Sequence, residues 1–243
     1  MIKAQKNKLF ERLFLAYTKR ELQRHFHGVH VAGLETIDRI DRSLPIIVYC
    51  NHSSWWDAQL AFILAREVFA LDAYAMMEEK QLRRYRFFRL IGAFSVVRES
   101  PRAAVDSMRY AASLFTRPNV ALWIYPQGVM VPNDVRPLRF YPGIARIAAM
   151  VGRVQFVPVA HRYEFLMQQR PEAFSLIGDP WMPEDPGTPE NLAAALQERL
   201  TGLLDALRCR IAENELEGFR KIFAGRMSVN ERYDRIRLIR GDA

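Results

Sequence analysis

The chain has 243 residues, half of them hydrophobic, with a formal net charge of +8 and a pI of about 9.7, so it suits one α/β domain with a substantial core. No apolar run reaches the roughly 18 residues of a bilayer span, Lys3, Lys6, Lys8 and Glu11 exclude a signal-peptide core, and two cysteines, Cys50 and Cys209, exclude a disulfide framework. The positive charge calls for an anionic partner. Since no nucleic-acid reading motif occurs, the expected partner is an acidic membrane surface, with the protein cytoplasmic and peripheral on the inner face of the membrane.

The charge is segmental: residues 1–26 carry +5, residues 80–102 carry +6 and residues 199–240 carry +4, which leaves the remainder acidic. Residues 3–24 read as a basic amphipathic helix with Phe10, Leu13, Phe14 and Tyr17 on one face and Lys6, Arg12, Lys19, Arg20 and Arg24 elsewhere. Such a helix either lies among lipid headgroups or packs on its own domain. His25, His27 and His30 fall in and beside a short strand over 26–31, whose alternation puts His25 and His27 on one face and His30 on the other. No cysteine or acid accompanies them at a metal-site spacing, so they read as surface histidines and no metal is expected.

Residues 44–50 are a continuous apolar run with β-branched members, the pattern of a strand buried on both faces. Asn51-His52-Ser53-Ser54-Trp55-Trp56-Asp57 follows it, and Leu60, Ile63, Leu64 and Val68 then recur at helical spacing. In open α/β sheets ligands collect beyond the carboxyl ends of strands, where this heptapeptide sits. Asp57 folded back on His52 would fix the tautomer of a general base. On spacing alone, His52 as a polar turn residue and Asp57 as a helix cap is the favoured reading, since such a spacing recurs often by chance.

Further on, residues 72–77 read as a strand, and residues 80–90 mix Arg83, Arg84, Arg86 and Arg89 with Leu82, Tyr85, Phe87 and Phe88, a basic aromatic helix suited to a headgroup layer or to solvent. Residues 92–98 form a strand that delivers Arg98, whose planar fork matches phosphate oxygens, while an ion pair with Glu99 or another surface acid is the favoured reading of that arginine alone. A helix starts at Pro101, a buried strand covers 119–125, and Pro126-Gln127-Gly128 turns at its end, where Gly128 would let backbone N–H groups approach a ligand. Residues 140–148 enter a helix, strands cover 154–160 and 174–177, and a long helix spans 191–216 before a last basic stretch at 219–239.

Four blocks in this order, Asn51-His52 with Asp57, Gly92-Ala93-Phe94-Ser95-Val96-Val97-Arg98, Tyr125-Pro126-Gln127-Gly128-Val129-Met130 and Val157-Pro158-Val159-Ala160, resemble those of the glycerophospholipid acyltransferase family, which includes the lysophosphatidate (1-acylglycerol-3-phosphate) acyltransferases. The resemblance implies an α/β fold, catalysis by His52 and Asp57, and acceptor binding by Arg98, Gln127 and Gly128. It departs in the third block, where the usual glutamate, threonine and arginine are Gln127, Val129 and Met130. Arg136 and Arg139 lie a few residues on as replacement cations, and Asn51 and Ser53 are further candidates for acceptor or oxyanion contact.

The expected architecture is a single α/β domain with a mostly parallel central sheet flanked by helices and basic amphipathic helices at both ends: a membrane-associating helix over 1–26, the core over 27–190 and a helical basic tail over 191–243. The implied reaction takes a fatty acyl group from acyl-CoA or acyl-carrier protein to a lysophospholipid hydroxyl, with no cofactor beyond the co-substrate. A phosphate-free lipid alcohol, such as a glycolipid or glycosylated terpenoid, is the alternative acceptor, and a catalytically idle lipid-binding protein is the alternative outside enzymes. No Gly-x-Ser-x-Gly elbow occurs, which excludes the usual serine hydrolase.

Overall fold

The computed structural model describes residues 1–97 and 100–240, with the Arg240 side chain excepted. Arg98, expected as a phosphate contact, therefore lies outside the described residues. Strands β1 (Gly28–Ala32), β2 (Ile46–Cys50), β3 (Asp72–Glu78), β4 (Ala93–Val96), β5 (Val120–Ile124), β6 (Gln155–Glu164), β7 (Glu172–Ile177) and β8 (Arg220–Ala224) join in one sheet ordered β4-β3-β5-β2-β6-β7-β1-β8. The run from β4 to β6 is parallel, and β7 and β8 each pair antiparallel with one neighbour, β6 and β1 respectively.

Every residue of β2 and β5 is buried, as continuous apolar strands require. Alternation sends Ile46, Val48 and Cys50 of β2 into one core layer and Ile47 and Tyr49 into the other. Helices α1 (Lys8–His25) and α2 (Asp57–Ile63), the latter continuing through a π turn at Leu64–Val68, cover the first layer with Leu22, Leu60, Ile63 and Leu64. Beyond β3, α3 (Glu79–Arg84) is short and buries only Leu82. Helices α4 (Pro101–Ala112), α5 (Gly143–Val151) and α6 (Pro189–Ala212) cover the second layer, α6 through Leu192, Leu196, Leu200, Leu204 and Leu207. Each such fully buried side chain contributes about 1.5–3 kcal/mol.

The connections place the site. From β2 the chain crosses one face through α2 and returns as β3, while from the adjacent β5 it crosses the other face through α5 and returns as β6 on the opposite side of β2. The crevice between the carboxyl ends of β2 and β5 is thus a topological switch point, the position at which such sheets bind ligands.

Three expectations change. The first helix starts at Lys8 rather than residue 3, because Asn7 Oδ1 accepts the Phe10 N–H at 2.9 Å, and the preceding residues run extended with Ser95 donating to the Ile2 carbonyl at 2.8 Å. The basic tail is not helical throughout: Arg220–Ala224 completes the sheet as β8, and only then does α7 (Val229–Arg240) follow. His25 is exposed as expected, but His27 and His30 do not split between faces as surface groups. His27, just ahead of β1, and His30, beyond a register shift between Val29 and His30, converge on Glu172 Oε1 at 2.9 and 3.2 Å, while His27 Nε2 also meets Glu231 at 3.0 Å.

The hydrogen bond from His30 holds the Glu172 carboxyl at about 2 against the upward push of burial, with His27 assisting. A carboxyl depressed in the folded state stabilises above its unfolded value and loses that contribution as pH falls through the folded one. Glu172→Gln is therefore expected to melt below wild type near pH 5, by an amount corresponding to about 1.5–3 kcal/mol for a charged hydrogen bond. The gap should close as pH falls from 4.5 toward about 2, which thermal melts across that interval check.

Candidate active site

Where β2 ends, Asn51 continues it with a side chain instead of a backbone. Its amide accepts the His161 N–H at 2.7 Å and donates to the His161 carbonyl at 2.9 Å, and a third bond reaches Asn133 Oδ1 at 2.8 Å. The next residue is held from two sides: His52 N–H donates to Gln127 Oε1 at 2.8 Å, and the His52 carbonyl accepts from Val131 N–H at 2.8 Å. The loops after β2 and β5 are thereby tied to each other across the switch point.

Asp57, the first residue of α2, is fully buried. Its Oδ2 accepts from His52 Nδ1 at 2.7 Å, Ser53 N–H at 2.7 Å and Ser54 N–H at 2.9 Å, and its Oδ1 accepts from the Tyr163 hydroxyl at 2.6 Å. Burial pushes this carboxyl up, but the bonds from His52, Tyr163 and Ser54, with His161 nearby, outweigh burial and leave it below the ordinary aspartate value. An ionised carboxylate only accepts, so the His52 proton sits on Nδ1 and Nε2 carries the lone pair. Asp57 pairs with His52 but does not cap α2: Trp56 stands at the cap without a side-chain bond, and Asp57 Oδ2 takes the amides of Ser53 and Ser54 in the turn before the helix.

Two aromatic rings complete the setting. Tyr125 lies against the His52 ring at a centroid distance of 4.5 Å and donates its hydroxyl to the Asp57 carbonyl at 2.9 Å. His161 is fully buried, with Nδ1 at 3.0 Å from Ser175 Oγ and Nε2 without a partner; burial lowers its pKa to about 4, so it is a neutral ring at physiological pH. Chain order hid His161 and Tyr163, because the fourth block ends at Ala160 while the strand runs on to Glu164. The period-2 pattern through Val157, Val159, His161 and Tyr163, polar where the strand leaves the core, was the available signal.

His52 lines a cavity of about 920 Å³. Ala58, Ala61 and Phe62 of α2 with Ala65 of the following π turn wall it on one face of the sheet, and Ala104, Val105 and Met108 of α4 with Ile144 of α5 wall it on the other. Pro126, Gly128, Val129 and Met130 form the lip beside His52.

The remaining sequence candidates go to other places. Gln127 is buried and does not line the cavity, since its Oε1 is committed to the His52 backbone, so it acts on the loop rather than on a ligand. Gly128 is on the lip with φ +66°, and its N–H donates to the Tyr125 carbonyl at 3.0 Å. Ser53 N–H is likewise spent on Asp57, and Asn51 on His161 and Asn133. Arg136 pairs with Asp205 at 2.7 Å and with the Asn133 carbonyl at 2.7 Å, in a groove against α6 away from the cavity. Arg139 is exposed and does not line the cavity either.

Removing the Tyr163 hydroxyl leaves Asp57 Oδ1 as a buried acceptor without its donor, which costs about 1–3 kcal/mol. Tyr163→Phe is therefore expected to lower the urea midpoint without changing the m-value, and denaturation curves of the two proteins check it.

A family model for acyltransferases matches residues 28–162, more than half of the chain. The fold is similar to the crystal structure of the 1-acyl-sn-glycerophosphate (LPA) acyltransferase PlsC from Thermotoga maritima, with a TM-score of 0.60 and 20% sequence identity over 82% of this chain and 80% of that one. No curated protein matches the sequence at significance. Four ordered sequence blocks, the family match and the shared fold agree, and the chain belongs to the acyltransferase family.

Proposed function

We propose that the protein transfers a fatty acyl group from acyl-CoA or acyl-carrier protein to a hydroxyl of a lysophospholipid or glycerol-phosphate-type acceptor, in phospholipid biosynthesis at an anionic membrane surface. One observation carries this reading: His52 Nδ1 is held at 2.7 Å by a buried, ionised Asp57, which leaves Nε2 for a cavity walled largely by alanine, methionine and aromatic side chains. In the reaction His52 Nε2 takes the proton of the acceptor hydroxyl as its oxygen attacks the thioester carbonyl. Asp57 stabilises the imidazolium, and the proton then passes to the departing thiolate, with no acyl-enzyme formed. The acyl chain lies in the arm of the cavity beneath α2, where Ala75, Ala93 and Trp123, register neighbours on β3, β4 and β5, line its wall.

The surface supports lipid contact. Leu9, Leu13 and Tyr17 are exposed on α1 among Lys8, Arg12 and Arg20, while Phe14 packs inward, so the helix both seats on its domain and keeps an apolar outer face. Trp55, Met130 and Tyr141 expose more apolar surface at the mouth of the cavity. Among the described residues no helix is long and apolar enough to cross a membrane. A phosphate-free lipid alcohol stays as the second acceptor reading because Val129 and Met130 put apolar surface where the family has a threonine and an arginine.

Thiol release from palmitoyl-CoA and from an acyl-carrier-protein thioester, with lysophosphatidate or a phosphate-free glycolipid as acceptor, tests the reading. His52→Ala is expected to lower acceptor-dependent release by about 10²–10⁴-fold; release that ignores this substitution would exclude His52 as the base. Ala75→Phe fills the chain arm and is expected to cut turnover of long acyl donors about tenfold relative to short ones, as a series of donors of increasing chain length would read out.

A further inference from the structure

The third block lacks the family's arginine, and neither Arg136 nor Arg139 takes its place at the cavity. Among the described residues three cations line the cavity: Lys6, Arg66 and Arg146. Lys6 bonds Asp72 Oδ1 at 2.5 Å and lies 3.5 Å from Glu11, and Arg66 lies 3.9 Å from the same glutamate. These pairs sit at the amino ends of the strands. Asp72 opens β3 in register with Val120, whereas His52 lies two residues past the end of β2, a separation of roughly 20 Å along the sheet at about 3.3 Å per residue.

Arg146 is placed differently. It stands in the first turn of α5, where Tyr141, Pro142 and Gly143 form the mouth of the cavity together with Gly128 and Met130. Space over Gly143 is open, with no atom within 4 Å of where a Cβ would be. The ion pair of Arg146, to Glu190, is 4.0 Å long and more than half exposed on both sides, too loose to hold the guanidinium. Among the described residues Glu78, at the end of β3, is the acid on the cavity wall at the carboxyl end of the sheet, so an anionic group entering there is repelled from β3 and drawn to α5.

We propose that Arg146 binds the phosphate of the acceptor lipid, supplying from α5 the cation that the third block has lost. The assignment rests on the acyl-transfer reading of this cavity and divides it: the chain arm lies beneath α2, the headgroup arm lies between α4 and α5, and His52 stands between them. A guanidinium fork matches two phosphate oxygens at once, which an ammonium does not.

The test is binding, so that it does not depend on turnover. In a His52→Ala background, the Kd for lysophosphatidate below its micelle concentration and for a monoacylglycerol of the same chain are measured by titration calorimetry. Adding Arg146→Ala is expected to weaken lysophosphatidate about tenfold or more while leaving monoacylglycerol unchanged. Arg146→Lys should recover part of the loss, and a compensating Met130→Arg should recover it by restoring the cation on the lip. Equal lysophosphatidate affinity with and without Arg146 overturns the assignment. An equal loss for both lipids overturns it as well. Arg146-dependent lysophosphatidate binding in a wild-type protein that releases no thiol supports the phosphate site and sinks acyl transfer instead.

Discussion

A single buried carboxylate organises the site. Asp57 has no contact with solvent and stays ionised because donors from the loop after β2 and from β6 surround it. A buried charge is expensive unless it is fully hydrogen-bonded, so each of these donors is constrained by the need to satisfy it. The Ser53 and Ser54 amides shape the turn into α2, the His52 ring is fixed in one tautomer, and Tyr163 anchors the far end of β6. The geometry that fixes the His52 ring is, at the same time, what keeps that carboxylate hydrogen-bonded inside.

The sheet decides what this carboxylate faces. Crossovers from β2 and β5 leave on opposite faces, so their carboxyl ends part and open a crevice that reaches both core layers. The switch point thus opens toward both layers without a second domain. Gln127 and Asn51, buried and spent on His52 and His161, brace the crevice and do not line it.

The departure in the third block reads differently in three dimensions. Glutamine at 127 keeps the oxygen that holds the His52 backbone, so the loss of charge leaves the loop where it is. Val129 and Met130 are on the lip and face outward, so their change alters what the mouth meets and leaves the dyad alone. Proximity in sequence misled for Arg136, which a carboxylate on α6 captures, and distance in sequence concealed Arg146, which α5 returns to the same lip.

From sequence alone the alternating and continuous apolar runs determined the strands and the layers, since burial on one or both faces leaves a period that needs no partner to be visible. The block order carried the site through the family resemblance, and the fold-back of Asp57 on His52 needed only local geometry, a turn running into a helix. The extension of β6 to Tyr163, the pairing of β8 with β1 and the convergence of His27 and His30 on Glu172 were decided by strands distant in the chain, and nothing local encodes a register. The same holds for the cations: each arginine is equally basic in the sequence, and only the tertiary structure settles which of them finds a carboxylate close enough to neutralise it and which is left facing the cavity.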